Sequence, residues 1–193
     1  MTEKMKLLFA TNNQHKLREV REILGEEIGV ESLGDIGFTA EIPETQDTIE
    51  GNARQKARFI FEHTGRDCFA DDTGLFIDAL DGRPGVYSAR YAGENCSFHD
   101  NVVMVLEELG NNPNRKASFR CVVCLILDGS EHTFEGHIDG LIIHQEMGTE
   151  GFGYDPVFLP GGYEMTFAEL PAATKNEISH RGRAIREMLK FLK

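Results

Sequence analysis

Four stretches of this chain combine residue types and spacings that could do chemistry. The first, Thr11-Asn12-Asn13-Gln14-His15-Lys16, follows the apolar run Leu7-Leu8-Phe9-Ala10 and precedes a segment with helical periodicity. A helix N-terminus exposes unpaired N–H groups and a partial positive charge, so a loop entering it can hold phosphate. Asn12 or Asn13 would cap the helix while Lys16 reaches the anion. For this segment alone an ordinary cap beside a solvated lysine is the preferred account, and the spacing of a Walker A loop is absent. The second is Asp71-Asp72-Thr73-Gly74, reached through the apolar approach Cys68-Phe69-Ala70, with Glu44 upstream. Magnesium prefers oxygen donors and commonly takes one or two carboxylates together with substrate phosphates and water. Adjacent aspartates repel and a bound cation would relieve the repulsion, although acidic turns are common and this motif alone decides nothing.

The third stretch, residues 148–156 (GTEGFGYDP), sets Phe152, Gly153, Tyr154 and Asp155 in a glycine-rich run. A ring there could stack on a base while a carboxylate or backbone group reads its edge. A tight turn with packed aromatics is the alternative. The fourth, residues 175–184 (KNEISHRGRA), supplies Lys175, His180, Arg181 and Arg183 near the start of a final helix, where a solvated basic face is the competing explanation.

The elements that must position these residues read as an α/β chain with a mixed sheet. Lys6–Ala10 reads as a buried strand, and Leu17, Val20, Ile23 and Leu24 then share one helical face. A short strand near Val30–Leu33 and a polar loop precede a second helix over residues 47–65. There Asp47 and Glu50 resemble a capping box, Ile49, Ala53, Ala57, Ile60 and Phe61 form an apolar face, and Gly65 is the stop. Residues 67–80 predict two short strands broken by a turn at the aspartates, followed by the Gly/Pro-rich loop DGRPGVYSARYAG. Ser97 with Asp100 opens a third helix bearing Val102, Val103, Leu106 and Leu109. Residues 117–127 and 131–140 flank the Asp128-Gly129 turn signal and predict a hairpin, continued by Leu141–His144. Ile178, Ile185, Leu189 and Leu192 then fall at the spacings of one closing helix. No linker-like composition shift appears, so two lobes sharing a cleft are expected rather than two independent domains.

Composition narrows the function. A chain of 193 residues is long enough for a real core. Its net charge of −12 argues against a general nucleic-acid binder, whose affinity comes from clustered Lys and Arg. A small polyphosphate held by a few converging cations and a metal remains compatible with that charge. Neither a signal-peptide core nor an apolar run of membrane-spanning length is present, so no membrane association is expected and the cytoplasm is the default compartment. Cys121 and Cys124 form a C-x-x-C, but within an apolar strand pattern positions three apart face opposite sides. Together with Cys68 and Cys96 they are expected to be buried free thiols.

TNNQHK, ADDTG, GRPGVYSARYAG, GFGYDP and SHRG occur in this order over nearly the whole chain, and the set resembles the inosine triphosphate pyrophosphatase family, also called Ham1-like, whose substrates are noncanonical purine nucleotides. The resemblance implies a single domain over residues 1–193, elongated and two-lobed, with a central mixed sheet, flanking helices and an active-site cleft between lobes. It also implies a homodimer that hydrolyses ITP, dITP and XTP to the monophosphate and pyrophosphate with Mg2+. Carried onto this chain, it makes Thr11, Asn12, Asn13, Gln14, His15 and Lys16 the phosphate-side segment, joined by Lys56. Glu44 and Asp72 would serve the metal, Asp72 would accept the proton, and Thr73 would touch substrate. Phe152, Gly153, Tyr154, Asp155, Lys175, His180 and Arg181 would bind the nucleoside. Asn12 stands where the family usually has glycine, and Thr73 where serine is common. Rival readings are a Maf-like nucleotide pyrophosphatase, whose serine/arginine-rich opening loop is missing, and a nucleotide sensor without catalysis.

Overall fold

The structure, a computed structural model, describes residues 5–193. Its elements in chain order are β1 (Lys6–Phe9), α1 (Gln14–Leu24), β2 (Gly29–Ser32), α2 (Ile49–Thr64), β3 (Cys68–Ile77), β4 (Pro84–Gly85), α3 (Phe98–Leu109), β5 (Lys116–Leu127), β6 (Ser130–Ile142), β7 (Phe158–Pro160), α4 (Ala172–Ile178) and α5 (His180–Phe191). The strand order is β2-β1-β3-β5-β6-β7, with β4 paired to β3. β1 runs parallel to both β2 and β3, whereas β3–β4 and β6–β7 are antiparallel, so the sheet is mixed as expected. Asp128 and Gly129, both at positive φ, close the β5–β6 hairpin.

The described chain divides into two compact units built from discontinuous segments. The first takes residues up to Asp72, Cys121–Gly136 and Arg181–Lys193; the second takes Thr73–Arg120 and His137–His180. Each has its own core. In the first, Leu17, Val20 and Leu24 of α1 and Ala184, Ile185 and Met188 of α5 meet Leu7, Phe9, Phe69, Cys121, Val123 and Leu125. The Phe9 and Phe69 rings stack at 4.5 Å. Strand alternation sends the intervening residues the other way: Leu8, Cys68 and Ala70 are fully buried, and the Cys68 thiol reaches the Ala57 carbonyl of α2 at 3.3 Å. In the second unit, Val102, Val105 and Leu109 of α3 pack with Leu75, Ile77, Phe119, Ile138, Phe158 and Phe167. Each such burial is worth about 1.5–3 kcal/mol.

Five local expectations are corrected. Thr48 rather than Asp47 caps α2, because its hydroxyl accepts from Gly51 N at 3.0 Å. Residues 68–77 form one uninterrupted strand instead of two, the adjacent aspartates being accommodated on opposite faces as described below. The buried face of α3 uses Val105 in place of Val103, which is only half-buried. The closing helix is two: Ser179, at φ −65° and ψ 157°, leaves helical geometry, so Ile178 packs in the second core and Ile185 in the first. All four cysteines are free, but Cys96 is half-buried, not buried.

Candidate active site

In the first unit most of the site sits on regular elements, with Thr11–Asn13 and Glu44 on the loops that lead into α1 and α2. Asn13 caps α1, its Oδ1 accepting from His15 N at 2.9 Å and Lys16 N at 3.2 Å, while Thr11 Oγ1 accepts from Asn13 N at 3.1 Å. Two of the helix's orphan N–H groups are thereby satisfied within the segment. The side chain of Lys16 therefore carries the segment's main attraction for an anion. Asn12 is exposed, and positive φ outside glycine occurs, among the described residues, only at Asp81, Asn95 and Asp128. The departure from glycine at position 12 thus imposes no left-handed strain. Gln14 is exposed and His15 half-buried in the first turn of α1.

The period of two along β3 separates the neighbouring aspartates. Asp71, 1% exposed, turns toward α1 and α5: Lys16 Nζ reaches its Oδ1 at 3.1 Å and Arg181 Nε its Oδ2 at 3.0 Å. Burial opposes ionisation of this carboxyl, but the Lys16 and Arg181 charges hold it well below the usual carboxylate range. Arg181 Nη1 also donates to Glu19 Oε2 of α1. Burial works against the guanidinium charge, and Asp71 and Glu19 more than restore it.

Asp72 faces α2. Asn52 Nδ2 donates to Asp72 Oδ2 at 3.2 Å, and Lys56 Nζ lies 3.5 Å from Oδ1 and 2.5 Å from Glu44 Oε1. Burial raises the Asp72 carboxyl above its ordinary value despite Lys56 and Lys16. At Glu44 burial is outweighed by Lys56, and the carboxyl falls below its ordinary value. Lys56 itself, against the pull of burial, is held charged by Asp72 and Glu44. Glu44 and Asp72 thus present hard oxygen donors flanking one cation. Two carboxylates are a donor set that a hard divalent cation accepts when phosphate and water complete its shell; among the described residues no cluster of three or more His, Cys, Asp or Glu forms.

In the second unit the site is built on a loop. Gly148, Gly151 and Gly153 take φ of 85°, 78° and 63°; a methyl group on Gly151 would strike the Asp155 carboxylate. That carboxylate is the loop's anchor: Asp155 Oδ2 accepts from Phe152 N at 2.8 Å and from Lys175 Nζ at 2.6 Å. Lys175 lies 5.1 Å from the Phe152 ring centroid. Tyr154 is buried with its hydroxyl donating to Ser88 O at 2.8 Å, so it braces the loop. His180 stacks on Phe119 with centroids 4.7 Å apart. Thr73, half-buried on β3, belongs to this unit.

Of the residues singled out in the sequence, Lys16, Glu44, Lys56, Asp72 and Arg181 gather in the first unit, and Phe152, Asp155, Lys175 and His180 belong to the second. Arg181 pairs with Asp71 and Glu19. Sequence reasoning missed Glu19 and Asn52. Their signal was legible: Glu19 lies one turn after Lys16, and Asn52, Lys56 and Ile60 share one helical stripe, so polar residues occupy buried positions.

The comparisons with known proteins point one way. The sequence model of the Ham1 family matches residues 7–191. A Flavobacterium johnsoniae protein named dITP/XTP pyrophosphatase is 50% identical, covering 97% of this chain and 98% of its own. A Porphyromonas gingivalis protein of the same name is 52% identical, covering 97% of each. The solved Ham1 protein of Staphylococcus aureus superposes with TM-score 0.87 at 37% identity, over 97% of both chains. That of Coxiella burnetii gives 0.88 at 37% identity, over 97% of this chain and 98% of the other. With its motifs in order and nearly its full length matched, this chain belongs to the Ham1 family.

Proposed function

We infer that this protein hydrolyses deaminated purine nucleoside triphosphates, ITP, dITP and XTP, to the monophosphate and pyrophosphate, keeping them from polymerases. The observation that carries the reading is the Asp72–Lys56–Glu44 group, in which buried Asp72 and Lys56 meet the exposed Glu44, in a chain about half identical to proteins named for this activity. We further propose Mg2+ as the metal, held by Glu44 and Asp72. The cytoplasm, a homodimer and one domain formed by both units complete the proposal. The last point is supported by β3, β5 and β6, each of which contributes residues to both units. A net charge of −12 supports small nucleotides rather than nucleic acid as partners.

When bound, Mg2+ would polarise phosphate oxygens and offset charge on the departing pyrophosphate. Asp72 orients water for attack at the α-phosphorus and takes its proton. Asn52 fixes one oxygen of Asp72 by hydrogen bonding. Lys56 and Lys16, with their ammonium groups already directed at carboxylates, stabilise charge developing on the triphosphate. Arg181 and Glu19 hold Asp71, and through it Lys16, in place. In the second unit Phe152 stacks on the purine. Lys175 or His180 donates to the carbonyl at position 6, where adenine would oppose a donor with a donor.

Incubation with ITP, XTP, GTP and ATP, with and without Mg2+, and separate assay of phosphate and pyrophosphate tests the reading. Pyrophosphate from ITP and XTP, abolished by a chelator, is expected. Predominant release of single phosphate would refute attack at the α-phosphorus, and tight ITP binding without turnover would favour a sensor.

A further inference from the structure

We propose that Phe98 is a positioning residue for the purine, a second ring that holds Phe152 in its working orientation; the proposal rests on the reading of Phe152 as the base-stacking residue. Phe98 is the first residue of α3 and is 43% exposed. Its ring centroid lies 5.9 Å from that of Phe152 with 49° between planes, within the range of favourable aromatic pairs. The glycine loop fixes the Phe152 backbone through Asp155, but Gly151 and Gly153 on either side have no side chains to buttress the ring. Lys175 and Phe98 both stand against that ring.

Two further contacts hold Phe98 at its post. The Ser97–Asp100 capping box fixes the start of α3, with Asp100 N donating to Ser97 Oγ at 3.1 Å and Ser97 N to Asp100 Oδ2 at 2.7 Å. His99 Nδ1 lies 2.9 Å from Glu146 Oε1, joining the first turn of α3 to the segment that leads into the glycine loop. A ring already ordered before binding costs the complex less conformational entropy than one that must be ordered by the purine. Phe98 therefore sets purine affinity and leaves the chemical step alone.

The test compares Phe98→Ala and Phe98→Trp with the unaltered enzyme. In Phe98→Ala the KM for ITP should rise roughly 3- to 10-fold, the size of one lost aromatic contact, with kcat unchanged; Phe98→Trp should restore KM. Calorimetric titration should show weaker binding of inosine monophosphate but unchanged binding of inorganic pyrophosphate with Mg2+. His99→Ala should move KM in the same direction by less. Equal KM in Phe98→Ala and the unaltered enzyme, or parallel loss of inosine monophosphate and pyrophosphate binding, would overturn the proposal. Failure of the unaltered enzyme to hydrolyse ITP would instead overturn the functional reading on which it rests.

Discussion

The two units solve different electrostatic problems. The first buries Asp71, Asp72, Lys56 and Arg181 on a strand and helices, each charge matched to an opposite one or to an amide. The second has one buried pair of this kind in its candidate site, Asp155–Lys175, and spends the rest of that site on rings and glycines. Groups on regular elements are held more precisely than groups on loops. Proton transfer and phosphate charge demand that precision, whereas recognition of a flat base tolerates a loop whose anchor is a single carboxylate.

Substitutions on each side sharpen the contrast. The largest effect should come from Asp71→Asn, which leaves Lys16 and Arg181 without their common buried partner and should cost about 3–5 kcal/mol of stability at neutral pH, measured by urea unfolding. The Asp71 carboxyl is depressed in the folded state, so its contribution is present above its ordinary value of 3.8 and is lost as pH falls below it. The gap between the two proteins should accordingly close on acidification, and a gap independent of pH would show that the charge is not responsible. Next, Asp72→Asn should fold normally and lose at least roughly 10²-fold in turnover; near-normal turnover would remove Asp72 from the mechanism.

Smaller effects separate two consecutive residues. His180→Ala should shrink the ITP to ATP ratio of kcat/KM by roughly tenfold, as for one donor removed. Arg181→Ala, by contrast, should lower stability and turnover while leaving that ratio intact, since its guanidinium serves Asp71 and Glu19. A ratio that collapses only in Arg181→Ala would place base reading with the charge network. Phe152→Ala should have the mildest consequence for selectivity, weakening all purine triphosphates by a similar factor.

The mixed sheet, the capped helices α1 and α3 and the β5–β6 turn were legible because local signals decide them: alternation, a Ser-x-x-Asp box, an Asp-Gly pair. What failed was decided by tertiary pairing. Asp71 and Asp72 read as a turn because two adjacent charges disfavour a buried strand, and only the partners Lys16, Arg181, Lys56 and Asn52, distant in sequence, reverse that preference. The break at Ser179 was hidden for a similar reason. Ile178 and Ile185 keep helical spacing, yet they answer to different cores.

The alternation along β3 gives the chain a parity. Removing one residue from β3 ahead of Asp71 would preserve nearly every local propensity, yet it would present Asp72 to Lys16 and Arg181 and turn Asp71 toward Lys56, with every apolar neighbour reversed as well. Removing two would restore each side chain to its proper face. Length variation in this segment should therefore be survivable only in even steps, a constraint written in arithmetic rather than in any single contact.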